Sequence, residues 1–167
     1  MKVTGHILKD AIKRTVMVRD TTASLFDGSL HAFEDDDKET PQQIADKFHA
    51  YDVMVAKLQT AQTDYNMQVR VEVGSDTMTL TEAIKSVGGA GRLEKMWRSV
   101  AGVKKDRYSY RDETLTRDPN EVRAKRMVTQ AQALKFANQA AKEAAVIRAA
   151  IAKGNLTEIE MNVTLPE

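Results

Sequence analysis

The chain has 167 residues, of which 42% are hydrophobic, 29% charged and 5% aromatic, and its formal net charge is +1. That is the size and balance of one soluble globular domain with a core of its own. Near-neutrality removes the global electrostatic argument for nucleic acid or a membrane surface. The absence of cysteine removes disulfides and thiolate chemistry, and it fits a cytoplasmic setting.

Ala, Val, Ile, Leu and eight Met carry the apolar content, which suits helix packing. The first ten residues are charged and lack the apolar core of a signal peptide. No apolar stretch approaches the ~20 residues that cross a bilayer. The expectation is a soluble chain with no membrane span and no export signal.

The spacing predicts a first helix over 4–25. Ile7, Ala11, Val18 and Leu25 lie on one stripe, widened by Leu8, Ile12 and Phe26. Asp27-Gly28-Ser29 ends it, and 27–39 reads as an acidic loop around Glu34-Asp35-Asp36-Asp37. Thr40-Pro41-Gln42-Gln43 then supplies an N-cap, a proline for the first helical position and a capping-box glutamine. Behind it, Ile44, Phe48, Tyr51, Val55, Leu58 and Tyr65 recur at spacings of four and three, with Gln62 as the one missing beat. This seam runs to about Asn66 and needs a partner along its length, in a bundle or an oligomer.

Val69-Arg70-Val71-Glu72-Val73 alternates and is β-branched, which predicts a half-buried strand. Gly74-Ser75-Asp76 turns the chain, 77–80 can return as a second strand, and Thr79 to Glu82 forms a capping box for a third helix. Gly88-Gly89-Ala90-Gly91 is expected to interrupt that helix. Segment 102–118 is polar, basic and tyrosine-bearing. Asp118-Pro119-Asn120-Glu121 opens the longest predicted helix, 119–153, closed by Gly154. Its apolar positions are mostly small: Ala131, Ala137, Ala141, Ala144 and Ala145, beside Val128, Leu134, Phe136, Ile147 and Ile151. The tail 157–165 alternates through Ile159, Met161, Val163 and Leu165 as a final strand. The short strands need partners, either each other, 78–80, or copies in another subunit. The fold class is therefore mainly α: a long-helix antiparallel bundle in one domain, 1–167, with a minor β element near 69–73 and 157–165, assembled as a homo-oligomer.

The order of these parts resembles the septicolysin-like family of small bacterial and viral helical proteins. Two helices flank an acidic loop, and the second ends in Tyr65-Asn66. A strand leads to Thr79-Leu80-Thr81-Glu82-Ala83-Ile84. Arg107-Tyr108-Ser109 precedes the long final helix, which closes with Asn155 and a short apolar tail. The resemblance covers most of the chain in organisation. It departs at Gly88 to Gly91, where the family has an unbroken charged helix, and in the tail, which lacks a tryptophan. It implies a cytolysin by name and supplies no catalytic residues.

From Arg92 to Arg126 there are eleven basic and six acidic residues, with Tyr108 and Tyr110 among them. Arginine offers planar donors for phosphate or carboxylate, and tyrosine adds a stacking face. Arg107, Tyr108, Tyr110 and Arg111 are the candidate ligand contacts, with Arg92 and the Gly88 to Gly91 turn as a second wall, shared between subunits. The same segment suits single-stranded nucleic acid. It also suits a solvated loop whose arginines pair with Asp106, Asp112, Glu113 and the acidic loop of a neighbour. Trp97 and Met96 read as core or as a pocket wall. His6, His31 and His49 lack metal-pair spacing, and Asp35-Asp36-Asp37 lacks the glycine and terminal glutamate of a calcium loop. Ser109 has no evident base beside it, and no Gly-x-Ser-x-Gly elbow occurs.

These features point to a non-enzymatic oligomer, without metal or cofactor, that binds a small phosphorylated, nucleotide-like molecule between subunits. In a virus, such a protein would sequester a nucleotide signal of the host. The competing readings are a structural or partner-binding helical oligomer and a septicolysin-like membrane-active protein.

Overall fold

The structure, a computed structural model, describes residues 1–31, 38–102 and 127–166. It is mainly helical, with two small two-stranded sheets. In chain order the elements are β1 (Lys2–Val3), α1 (Gly5–Ser24), α2 (Phe26–Ser29), α3 (Pro41–Gln68), β2 (Arg70–Val73), β3 (Asp76–Thr79), α4 (Leu80–Gly102), α5 (Gln130–Gly154) and β4 (Ile159–Glu160). Two compact units result. One comprises Met1–Ala83 with Ala150–Glu167, the other Ile84–Ala149.

Threonine caps start the long helices. Thr4 accepts from the Ile7 amide at α1. At α3 the Thr40 hydroxyl accepts from the Gln43 amide while Gln43 Oε1 accepts from the Thr40 amide, as the sequence predicted. Thr79 and Glu82 close the same box at α4, and Thr129 and Gln132 at α5. The last box corrects the sequence reading. Residues 127–129 are not helical, so α5 begins at Gln130 rather than at 119. The Asp118-Pro119-Asn120-Glu121 start lies outside the described residues.

In the first unit α1 packs against α3. The helices run in opposite directions. Gly5, at the start of α1, meets Tyr65 near the end of α3, and Arg19 pairs with Asp52 at 3.0 Å further along. The core face of α3 is Ile44, Val55, Leu58, Ala61 and Tyr65. Phe48 is exposed and Tyr51 half-buried, so the seam is narrower than its spacing suggests. On α1 the buried positions are Gly5, Leu8, Ala11, Thr15 and Thr22, whereas Ile7, Val18 and the C-cap Leu25 remain 41–53% exposed. Hydroxyls explain the shift. Thr15 and Thr22 donate to the carbonyls of Ala11 and Val18, each at 2.8 Å, so both bury without an orphaned polar atom. The seam that suggested an oligomer is thus consumed inside one chain.

Other expectations also change. Asp27-Gly28-Ser29 does not end the helical run, because Phe26–Ser29 forms the short α2. Residues 32–37 lie outside the described residues. Helix α4 continues unbroken through Gly88, Gly89, Ala90 and Gly91. A methyl group at Gly89 or Gly91 would meet nothing within 4 Å, so these glycines are neither a break nor a close crossing. The buried face of α5 is Ala133, Ala137, Ala140, Ala144, Ile147 and Ala150. The expected face matches it at Ala137, Ala144 and Ile147, while Ala131, Leu134 and Ala145 are exposed.

The strand at 69–73 pairs with 76–79 as an antiparallel hairpin in the register Arg70–Thr79 and Val73–Asp76. Gly74 turns it at φ 64°, the left-handed region that favours glycine. The tail strand is shorter than expected. Only Ile159–Glu160 is paired, and its partner is Lys2–Val3, a strand the sequence reading did not anticipate.

Tyr65 ties this unit together. Its side chain is fully buried, and its hydroxyl donates to the carbonyls of Gly154 at 2.7 Å and Thr157 at 2.8 Å. Burial pushes its pKa up, with a bond from the Gly5 amide opposing the shift. Gly154 is obligatory for close approach, since a Cβ there would stand 2.5 Å from Val71 Cγ1 and 3.2 Å from Leu80 Cδ1. One polar atom is left over: Gln62 Nε2 donates to Asn66, but Gln62 Oε1 is buried with no partner among the described residues.

Three outcomes follow. Tyr65→Phe orphans the groups its hydroxyl serves and should lower the unfolding free energy by about 1–3 kcal/mol in denaturant titrations. Gly91→Ala should raise it by about 0.5–1 kcal/mol, since alanine is the better helix former and the methyl group has space. A loss there would mean the helix is broken after all. The third outcome concerns pH. The Thr79 amide, and then its hydroxyl, hold the Glu82 carboxyl below the usual carboxylate range. The folded state thus favours the ionised form. The stability this contributes is present above the ordinary carboxylate pKa and is lost as pH falls through the lowered folded-state value. Melting curves from pH 7 to pH 3 should show a smaller acid-induced drop for Glu82→Gln than for the parent chain.

Candidate functional site

The sequence candidates are not gathered into one site by the described residues. Arg92 is exposed on α4, three turns after the Thr79 cap, and makes no ion pair with a described residue. Arg107, Tyr108, Tyr110 and Arg111 lie outside the described residues, as do Asp106, Ser109, Asp112 and Glu113. The Gly88 to Gly91 wall must be corrected. Inside a continuous helix, those amide groups serve the helix and cannot cradle an anion as a turn would.

Among the described residues, open grooves occur in the second unit. The first, about 510 Å³, lies where the last turn of α4 meets the first turn of α5, lined by Arg98, Ala101, Gly102, Gln130, Ala131 and Leu134. Beside it, Trp97 tilts against Phe136 with ring centroids 4.8 Å apart. Trp97 is half-buried by this pair, while Met96 is 65% exposed and so is not core. Arg98 is held by Glu94, one turn earlier, at 2.8 Å.

The second groove, about 570 Å³, runs along α5 past Leu134, Lys135, Asn138, Gln139 and Lys142. Lys135 and Lys142 are two turns apart and therefore share a face. Neither makes an ion pair with a described residue. Gln139 points its amide at Glu143, at 3.4 Å. These residues form one exposed face of α5, a leucine beside ammonium and amide groups. The sequence candidates do not include these lysines. Their seven-residue spacing was the signal that could have placed them together.

Charge separates with the two units. Unit Ile84–Ala149 contains 15 lysines and arginines against 7 aspartates and glutamates, whereas the rest of the chain has 10 against 17. A chain of net charge +1 therefore joins a unit of about +8 to one of about −7. Among the described residues of the basic unit, the acids are Glu94, paired with Arg98, and Glu143, bonded to Gln139.

Among the described residues, the groups whose pKa moves sit elsewhere, and each has a structural cause. Hydrogen bonds to Asp20, and then to Asp52, raise Arg19. Tyr65 is raised by burial, and Glu82 is lowered by its cap. Among the described residues no cluster of histidine and acidic side chains is placed to hold a metal ion. No described helix is long and apolar enough to cross a membrane.

No family model matches the chain, and neither a curated protein nor a solved structure is similar to it.

If the groove on α5 is a cationic surface, Lys135→Glu with Lys142→Glu should leave the fold intact, since both side chains are exposed. Circular dichroism should be unchanged. The double variant should elute from a cation exchanger at markedly lower salt than a control with two acids added on α3.

Proposed function

We propose that this chain is a non-enzymatic, self-associating helical protein that binds a small anionic, nucleotide-like ligand through its basic unit. The observation that carries the reading is the excess of cations over acids in that unit, where Arg92, Lys135 and Lys142 make no ion pair with a described residue. Leu134 and the Trp97–Phe136 pair lie nearby to take the flat face of a base or sugar. A phosphate satisfies several such donors at once, and charge-assisted bonds are the strong ones.

Arg107, Tyr108, Tyr110 and Arg111 belong to the same basic unit by sequence and are the further contacts in this proposal. An antiparallel bundle of several chains, with the ligand between subunits, completes it. The septicolysin-like resemblance adds the notion of a small bacterial or viral protein, for which capture of a host nucleotide signal is a coherent use. Specific support for membrane activity is lacking, and a purely structural role leaves the charge separation without a purpose.

Calorimetry with a panel of mononucleotides, dinucleotides and cyclic nucleotides tests the reading. At least one should bind. Arg92→Ala, Arg107→Ala and Lys142→Ala should each weaken it ten- to hundredfold, the equivalent of about 1.5–3 kcal/mol. Silence across the panel would remove the ligand from the proposal. Conversion of the ligand during the titration, seen by chromatography, would replace a binding protein with an enzyme.

A further inference from the structure

Buried side chains are divided unevenly between the two units. In the first, Leu8, Ile44, Leu58, Tyr65 and Leu80 are 0–3% exposed. In the second, the buried residues among those described are Ala133, Ala137, Ala140, Ala144 and Ile147. All five lie on α5, and four are alanines, which remove little apolar surface from water. Helix α4 adds none, because its buried residues, Leu80 and Ala83, precede Ile84. Helices in proteins owe most of their stability to a packed apolar face. Gly88, Gly89 and Gly91 weaken α4 further, since glycine gives up more backbone freedom on folding than any other residue. Charge acts in the same sense. The described residues of this unit include seven lysines and arginines against two acids, Glu94 and Glu143. Like charges held close together oppose the compact state.

We infer that the described helices of this unit, α4 from Ile84 and α5 up to Ala149, open together while the first unit stays folded, and that a polyvalent anion bound to them holds them folded. The inference rests on the anionic ligand of the proposed function and deepens it, because binding and ordering become one equilibrium. An anion of several charges offsets the repulsion, and it gains most where cations are held at a fixed spacing. Lys135 and Lys142 have such a spacing only while α5 is helical, so the anion favours the folded form. The first unit has the opposite character. Its larger buried side chains and the Tyr65 bonds to Gly154 and Thr157 lie within it and do not depend on residues 84–149.

Hydrogen exchange of the full chain, read by mass spectrometry, tests this with and without inorganic triphosphate. The arm without triphosphate is matched in ionic strength with sodium chloride. In that arm, amides of α4 beyond Ile84 and of α5 before Ala150 should be at least tenfold less protected than those of α3. Triphosphate at ten times its dissociation constant should slow both segments about tenfold and leave α1 and α3 unchanged. Gly88→Ala with Gly89→Ala and Gly91→Ala should slow both segments without any anion. The three methyl groups have room, since no atom would lie nearer than 3.5 Å. Lys135→Gln with Lys142→Gln should cancel the effect of triphosphate.

Equal protection of the two units without the anion would overturn the inference and leave the proposed ligand standing. Triphosphate that binds in calorimetry yet slows nothing would do the same. Slowing by sodium chloride alone to the same extent would replace a bound anion with general screening, and the inference fails. If the helices open and triphosphate neither binds nor slows them, the inference also fails, and the nucleotide panel alone decides the proposed ligand.

Discussion

The hydroxyl of Tyr65 is the point on which the first unit depends. α1 begins at Gly5 against its ring, α5 ends at Gly154 on its oxygen, and the tail passes through Thr157 on the same atom. These segments lie far apart in sequence, and they meet beside the buried side chains of Val69, Val71 and Leu80. A polar side chain buried at such a junction is tolerated only because its hydrogen bonds are made inside the protein. Two glycines permit the close approach: a Cβ at Gly5 would meet Asn155 and the Tyr65 ring, and one at Gly154 would meet Val71 and Leu80. The β1–β4 pair, the His6 amide bond to the Asn155 carbonyl and the mutual bonds of Met1 and Met161 then hold the tail in register around this centre.

The elements legible in the sequence were those whose signal is local. Thr40-Pro41-Gln42-Gln43 named the start of α3 to the residue because every group in a capping box lies within four positions. The hairpin at 70–79 was equally plain, since alternation and a turn glycine sit side by side. The failures came where the deciding partner is distant or the signal is two-sided. Thr15 and Thr22 were passed over as core because hydrophobicity ranks them low, although a hydroxyl bonded to its own helix behaves as nearly apolar surface. The strand Lys2–Val3 was invisible because two residues have no period, and only its partner 156 or more positions away makes it a strand. The glycines at 88–91 were read as punctuation. In the structure they are ordinary members of a helix, so propensity lost to whatever stabilises α4 as a whole.

That last failure connects fold to function. A sequence that keeps three poor helix formers in an exposed helical stretch breaks a local rule without a visible return inside the chain. Natural proteins do this most often where another molecule supplies the missing contact. The candidate site was half legible for a related reason. The local excess of basic residues from Arg92 to Arg126 could be counted, but Lys135 and Lys142 lie beyond it in sequence and are counted with it only once α5 is known to belong to the same compact unit.

Net charge is an additive property, and folding partitions it. A value of +1 argues against a polyanion or an acidic partner only if the charges are mixed over the whole surface. Here the chain boundary and the electrostatic boundary do not coincide. The acidic unit contains the first 83 residues and the last 18, so a scan along the sequence crosses from acid to base and back and returns almost nothing. Once the units are known, their formal charges differ in sign. The screening length at physiological salt, about 8 Å, is shorter than either unit, so an approaching ligand or chain responds to the unit it meets and not to the sum. A protein arranged in this way can be neutral in composition and still be strongly cationic over one compact unit.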